Sequence, residues 1–357
     1  MDRLGYSALA IGGIWALMPA TRLLVTPGWA LLADRYRMGT RILQGASLGT
    51  VLAVTAMATG LLPAWGLAVC MVLFAAMRAP MGPILDALTV RSLEDAGQPT
   101  SRYGRIRLWG SVAFLVCAGT GAVLADQVAW APAPLALGAV VWGLGFLITL
   151  LLPRSGAVEP VRLRPALRTL GQRPGMPLLI GALALHGLGL NAYDAWYAVH
   201  MEHLGLSSVW TGAALACGLV IEIGVMAQGV RLLNARDPAQ LVLLGLGTGA
   251  VRWALTAWLT DPVWLTALQL LHGVVYAVFW IGVVELFRQV APREIRASAQ
   301  AVIIMACYGV GPLLGAGVAS AVVDDHGTQA LYGVAAGASA LATLATAVAW
   351  RRLRRGG

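Results

Sequence analysis

The sequence predicts an all-α polytopic membrane protein, and three observations carry that prediction. Of 357 residues, 59% are hydrophobic and only 11% are charged, whereas a water-soluble chain needs roughly 25% charged residues to keep its surface solvated. The mean hydropathy is +0.75, and 43 glycines are spread through the apolar runs. Those runs are continuous, without the in–out alternation of an outer-membrane strand, so helices rather than barrel strands follow. Such a composition excludes a secreted disulfide scaffold, a disordered tail protein and most cytosolic enzymes.

A helix needs about 20 mostly apolar residues to cross the hydrocarbon core, and eleven stretches qualify. The first group is Leu4–Leu32, Ile42–Leu62, Gly66–Val90, Ile106–Ala125 and Ala133–Leu152. After a longer polar connection come Met176–Val199, Ser208–Gly229, Ala239–Leu259, Val263–Phe287, Ala299–Val322 and Gln329–Trp350. The expected organisation is a five-helix bundle over residues 1–152 and a cytoplasmic linker over 153–175. A six-helix bundle over 176–350 and a basic tail over 351–357 complete it.

Charge placement tests this count independently. All 25 basic residues are arginine, and the formal net charge is +9. They lie in small groups between apolar runs rather than in one basic tract, which argues against a nucleic-acid partner and for membrane topology. Arg35, Arg37 and Arg41 fall in the first connection; Arg91, Arg102, Arg105 and Arg107 surround the third. Arg154, Arg162, Arg164, Arg168 and Arg173 fall in the fifth, Arg231 and Arg236 in the seventh. Arg288, Arg293 and Arg296 follow, and Arg351, Arg352, Arg354 and Arg355 close the chain. The alternate connections, 63–65, 126–132, 200–207, 260–262 and 323–328, contain no arginine. By the positive-inside rule the arginine side and the C-terminus are cytoplasmic. Cys70, Cys117, Cys217 and Cys307 each stand alone in an apolar run, with no metal-ligand or redox spacing among them.

An odd number of spans with a cytoplasmic C-terminus puts the N-terminus outside. The five-plus-six grouping has the form of six-plus-six with the first helix missing. The expectation is a natural start upstream of Met1, with a true eleven-span chain as the alternative.

Two motifs then carry a resemblance. The first loop reads Trp29-Ala30-Leu31-Leu32-Ala33-Asp34-Arg35-Tyr36-Arg37-Met38-Gly39-Thr40-Arg41. It resembles the loop signature of the major facilitator superfamily, a glycine followed four residues later by Asp-Arg and then basic residues. Here Ala30 stands in the glycine's place. Tyr103-Gly104-Arg105-Ile106-Arg107-Leu108-Trp109-Gly110-Ser111 resembles the signature of that superfamily's phenylpropionate-permease-like branch. Gln269-Leu270-Leu271-His272-Gly273, Pro292 and Ala299-Gln300-Ala301 are similar to the same branch's tenth and eleventh helices. The resemblance covers nearly the whole chain. It implies two six-helix bundles, alternating access to a central cavity, and a small organic solute such as an aromatic acid. It also implies proton coupling, as in the related lactose-permease-like sugar symporters and nucleoside symporters.

The candidate site residues are those whose charge is costly in the apolar layer, on the order of 3 kcal/mol at its centre. They are Arg22, Arg78, Asp86, His186, Asp194, Glu222, Arg252, His272 and Glu285. Glu222, Arg252 and His272 sit near the middle of three different spans and are assigned to proton coupling. Glu222 titrates, Arg252 sets its proton affinity and His272 relays or binds, since desolvation raises a carboxylate's pKa and a nearby guanidinium lowers it. The sugar symporters use a carboxylate, an arginine and a histidine in the same way. The alternative is a structural ion-pair network, and for His272 a satisfied core histidine.

Arg78 and Arg22 can present planar guanidinium groups to an anionic solute; pairing with a backbone carbonyl or Asp86 is the alternative. Asn191, Tyr193, Trp196, Tyr276 and Trp280 offer polar handles and aromatic faces for a cavity, or core packing and interfacial anchoring instead. Asp34 and Arg35 are expected in a cytoplasmic gate, with Asp34 pairing to Arg91 in one conformation only. The sequences Ala79-Pro80-Met81-Gly82-Pro83 and Gly309-Val310-Gly311-Pro312 are expected to interrupt their helices.

No metal-binding His-Glu pair, nucleophile turn or phosphate loop is present, so the reading is not an enzyme and needs no cofactor beyond a proton gradient. The expected function is secondary active transport of a small organic solute, acting as a monomer in a bacterial cytoplasmic membrane. A sugar or nucleoside symporter, a drug-type efflux carrier, and a transport-inactive sensor or scaffold are the alternatives.

Overall fold

A computed structural model describes residues 17–22, 24–25, 28–29, 39–98, 103–130, 132–152, 163–292 and 295–355. The expected first span, Leu4–Leu32, lies mostly outside these residues, and Asp34 and Arg35 lie wholly outside them. The described residues are helices, turns and short connections, and they divide into two compact units, 17–160 and 161–357.

In the first unit, α1 (Gly39–Ala58) packs against α2 (Ala64–Arg78) and α5 (Ala133–Leu150). Between these lie α3 (Met81–Asp95) and α4 (Tyr103–Gln127). The α1 face toward the interior is small and polar, with Ala46, Ser47, Thr50 and Ala53 all buried. Thr50 Oγ1 returns its hydrogen to the Ala46 carbonyl at 2.9 Å, so its polarity costs nothing in the apolar layer. Gln44 crosses to the Thr149 carbonyl of α5 at 3.0 Å. The expected span Gly66–Val90 proves to be two helices. α2 ends at Arg78, Ala79 and Pro80 form a turn, and α3 resumes at Met81. Proline lacks the amide hydrogen that a continuous helix would use.

The second unit comprises α6 (Leu163–Gly171), α7 (Met176–His203), α8 (Ser208–Met226), α9 (Gly229–Ala235) and α10 (Pro238–Trp258). An irregular run over residues 262–290 follows, ending in α12, and then come α13 (Arg296–Met305) and α14 (Gly311–Arg355). The irregular run opens as α11 (Pro262–Ala267), tightens into a 3-10 turn (Leu268–Leu271), widens into a π-helical turn (Val274–Val278) and ends as α12 (Phe279–Val290). Two Asp-Pro pairs start helices here. Asp237 caps the Ala239 amide at 2.9 Å, and Asp261 caps those of Val263 and Trp264 at 2.9 and 3.1 Å. Each proline sits at the first helical position, where its missing donor is harmless.

α7 is the inner helix of this unit and packs most extensively on α14. Its exposed positions, Pro177 and Gly181 toward one end and Asp194, Ala198 and His203 toward the other, form its open face, and His186 to Tyr193 between them are all buried. Gly187 and Gly311 bring α7 against the start of α14. A Cβ on Gly187 would lie 3.0 Å from the Gly311 Cα and 2.9 Å from the Cys307 carbonyl carbon. Cys307 belongs to a second π-helical turn, Ala306–Val310, at the predicted Gly309–Pro312 interruption.

The expected loop at 323–328 is a correction. The helix continues through Asp324, Asp325 and His326, and only Gly327 leaves it, at φ 76° and ψ 173°, a region open essentially to glycine alone. Thr328, the next residue, meets buried His200 of α7 at 2.8 Å, which pins the bend. Within the expected linker, 163–171 forms a helix whose Ala166 and Leu170 are fully buried in the core.

Seven helical runs among the described residues are long and apolar enough to cross a membrane, and the last of them, Ser298–Arg355, bends at Gly327. Eleven therefore remains the sequence's count. The outer surface agrees with a hydrocarbon solvent: Leu52, Val116, Val140, Leu147, Val251 and Leu344 are each more than half exposed.

Candidate functional site

Glu222 and His272 meet because two glycines remove the side chains that would hold their helices apart. Gly218 and Glu222 lie one turn apart on the same side of α8. A Cβ on Gly218 would fall 3.1 Å from the His272 ring, and one on Gly273 would reach Ile221 Cγ2 at 2.7 Å. The His272 ring therefore seats directly on α8, with Nε2 3.1 Å from Glu222 Oε2. His272 stands between the 3-10 turn and the π-helical turn of its run. Wide turns of this kind occur often at functional sites, because they re-aim one side chain without breaking the helix.

The contact chain extends past the histidine. Its ring stacks on Tyr276 at 4.2 Å with only 14° between planes. The Tyr276 hydroxyl donates to Asp194 Oδ1 at 2.9 Å. Asp194 is exposed on the open face of α7, while His272 is buried and the Glu222 side chain retains 28% exposure. Two carboxylates with access to the outside thus flank one buried imidazole.

Arg252 makes a second centre. It is fully buried in α10, its guanidinium carbon 4.4 Å from the centroid of Tyr193 and 4.5 Å from that of Trp253. Nη2 donates to Gln269 Oε1, whereas Nε and Nη1 have no partner. The Gln269 amide is held in register because its Nε2 donates to Tyr197 Oη and to the Leu265 carbonyl, both at 3.1 Å. Arg252 thus rests on a neutral amide and two ring faces instead of the expected Glu222 carboxylate. Gln269→Leu should leave Nη2 buried and unmatched and deprive Tyr197 of its donor. The expected result is an apparent melting midpoint lower by about 3–8 °C in detergent; an unchanged midpoint would count against the network.

Other predicted residues are placed as follows. Tyr193 is buried in the aromatic cluster, 5.3 Å from His272 and 5.1 Å from Tyr197. Trp196 is 1% exposed inside the core, and its Nε1 has no partner. Asn191 is buried against Gly315, where a Cβ would come within 2.9 Å of its Oδ1. Trp280 is partly exposed and packs edge-on against Tyr308 at 6.0 Å. His186 is fully buried against Phe279 at 4.1 Å, away from the Glu222 pair's contacts. Glu285 pairs with Arg288 on its own helix.

In the first unit Arg78 is exposed at the α2 break, its guanidinium carbon 5.5 Å from the ring centroids of both Phe74 and Trp142. Arg22 is helical and lies close enough to repel it. Asp34 and Arg35 are outside the described residues; Arg91 is in α3, with its side chain not described.

Sequence reasoning missed Gln269 and Tyr197 as partners of Arg252, and the pairing of Asp194 with Tyr276. An available signal was Gln269 itself, a lone amide in an apolar run three residues before His272. Among the described residues no group of three or more His, Cys, Asp or Glu could hold a metal ion.

A buried imidazole, a buried guanidinium and two partly open carboxylates thus stand together in a bundle of apolar helices. The chain belongs to the MFS_1 like family, which matches residues 1–334, and it is a membrane transporter of the major facilitator type. It is 26% identical over 310 residues to the maltose permease of Geobacillus stearothermophilus, covering 85% of this chain and 76% of that one. To the probable 3-phenylpropionic acid transporter of Escherichia coli K12 it is 27% identical over 273 residues, covering 75% and 70%. The fold is also that of the nucleoside transporter NupG, with a TM-score of 0.84 at 16% identity, covering 97% of this chain and 91% of that one.

Proposed function

We propose that this transporter is a proton-coupled symporter for a small organic solute, in which Glu222 and His272 form the protonation site. The observation that carries this reading is the Glu222–His272 contact at 3.1 Å between apolar helices, with the carboxylate still partly exposed. A carboxylate next to an imidazole in that setting can gain a proton from one side of the membrane and lose it to the other, which is the step a proton symporter requires. Arg252 supports the reading because of its cost. Burying a guanidinium costs several kcal/mol, and here the charge is kept on one amide and two ring faces.

Solute recognition is assigned to Tyr276 and Trp280 beside the open face of α7, and to Arg78 and Arg22 in the first unit; Asn191, Tyr193 and Trp196 are buried and are read as core packing, the alternative that the sequence offered. Arg78, resting against two aromatic rings, can present its planar guanidinium to an anion, which favours an organic acid. Asp34, Arg35 and Arg91 are assigned to a gate. Residues 1–152 and 176–350 are the two helix bundles, with 153–175 as linker. The arginine-bearing ends and the tail 351–357 are cytoplasmic, and the carrier works as a monomer in a bacterial cytoplasmic membrane.

The test begins with a melting screen of sugars, nucleosides and aromatic acids. A solute at 100 times its Kd adds about 2.7 kcal/mol of stability, enough to raise the midpoint by several degrees. The strongest hit is then offered to proteoliposomes with an alkaline lumen. Accumulation that collapses when protonophore is added is the expected result; accumulation indifferent to the pH gradient would defeat the proposal.

A further inference from the structure

The chain entering α7 makes a sharp turn that brings arginines over an apolar cleft. Gly175 caps α7 at φ 89°, a left-handed conformation. It also lies so close to α14 that a Cβ would come within 2.5 Å of the Ala349 carbonyl. Both facts require glycine. The turn places Arg173 and Pro174 beside Trp350, Leu353 and Arg354, opposite Leu286, Gln289 and Val290 at the end of α12. The cleft has a volume of about 230 Å³. A second, of about 360 Å³, shares Arg173 and Pro174 and adds Arg352, Pro177 and Leu178 at the first turn of α7.

The lining is of two kinds. Apolar side chains alternate with two guanidinium groups in each cleft, Arg173 being common to both, Arg354 lining the first and Arg352 the second; Arg354 lies 5.8 Å above the Trp350 ring. No Asp or Glu lines either cleft. Glu285, one turn before Gln289, is already taken by Arg288 Nε at 2.6 Å and by Gln289 Nε2 at 3.1 Å. The position matters as much as the charge. α12 ends at Val290, and the apolar run of α14 gives way to arginine after Trp350, so the clefts sit where acyl chains give way to headgroups. A soluble anion has no use for the apolar side chains, whereas a phospholipid requires both kinds.

We infer that Arg173 and Arg354 hold the headgroup phosphate of an anionic phospholipid, with its acyl chain along Leu286, Val290, Trp350 and Leu353, while Arg352 in the adjoining cleft adds positive charge at the rim. Basic residues near an anionic leaflet contribute about fivefold each in binding, so the set is expected to contribute on the order of 100-fold. The site is separate from the Glu222–His272 pair and does not depend on proton coupling.

The experiment uses the full chain in mixed micelles. Dioleoylphosphatidylglycerol is the probe, with dioleoylphosphatidylcholine and inorganic phosphate as the comparison arms, and the melting midpoint is the readout. Phosphatidylglycerol should raise the midpoint at concentrations where phosphatidylcholine does not. The triple variant Arg173→Gln, Arg352→Gln, Arg354→Gln should need on the order of 100-fold more of it. Gln289→Glu keeps every arginine but adds a repelling charge, and should weaken the effect in the same direction if the triple variant does not fold. Equal protection by phosphatidylcholine, or unaltered sensitivity in Gln289→Glu and the triple variant, would overturn the site. Equal protection by inorganic phosphate would overturn the lipid and leave a free-anion site.

Discussion

Glu222→Gln should abolish accumulation of solute against its gradient while leaving solute–solute exchange intact. The amide mimics a carboxyl group that is permanently protonated, still able to hydrogen-bond His272 Nε2 across the 3.1 Å contact but unable to release its proton. If release is the step that resets the carrier, net uptake stops. Exchange does not require that step, so radiolabelled solute should still enter vesicles preloaded with unlabelled solute. The measurement is paired, pH-driven uptake and counterflow in the same proteoliposome preparation. Uptake against a gradient by the Gln variant at wild-type level would show that Glu222 does not couple protons. Loss of both activities would indicate that the residue holds the structure or binds the solute.

The second large effect belongs to the contact between α7 and α14. Gly187→Val should lower stability by more than the 1–3 kcal/mol typical of overpacking, because the neighbours of the added group are backbone on both sides. The Gly311 Cα would be at 3.0 Å and the Cys307 carbonyl carbon at 2.9 Å, and neither can rotate away as a side chain would. Thermal unfolding in detergent should show a midpoint fall of about 5–10 °C or failure to recover folded protein. Gly181→Val is the control, since nothing lies within 4 Å of its Cβ position. Similar losses in the two variants would remove the claim that close helix approach, rather than glycine itself, decides stability.

What could be read from the sequence follows a physical division. Membrane helices announce themselves by composition, since a hydrocarbon solvent demands apolar side chains wherever a helix faces it. The break at Ala79–Pro80 was equally legible, because proline's missing amide hydrogen is a local property. Gly327 was not: a one-residue bend between two helices looks, in sequence, like the polar loop that Asp324, Asp325 and His326 seem to spell. The helix Leu163–Gly171 was hidden for the opposite reason, being short and too arginine-rich to register as apolar, although Ala166 and Leu170 are fully buried.

The site divides likewise. Glu222, Arg252 and His272 stood out because charge in an apolar run is expensive. Their partners did not, because pairing depends on which helix faces which. Arg252 was expected to act on Glu222, yet its hydrogen bond goes to Gln269, an uncharged residue that no cost argument would single out. Gly218 escaped notice as one of many glycines, although its bare Cα is what admits the imidazole.

The irregular winding around His272 has a consequence for the lever it forms. A 3-10 turn advances about 120° per residue against 100° for an α-helix, so the four residues Leu268–Leu271 overrotate by roughly a quarter revolution. The wider turn Val274–Val278 rotates back in the opposite sense. The two errors largely cancel, which lets Pro262–Ala267 and Phe279–Val290 keep a common phase while the imidazole between them is swung out of line. Straightening either irregular turn would therefore carry the imidazole away from Glu222 without altering either residue.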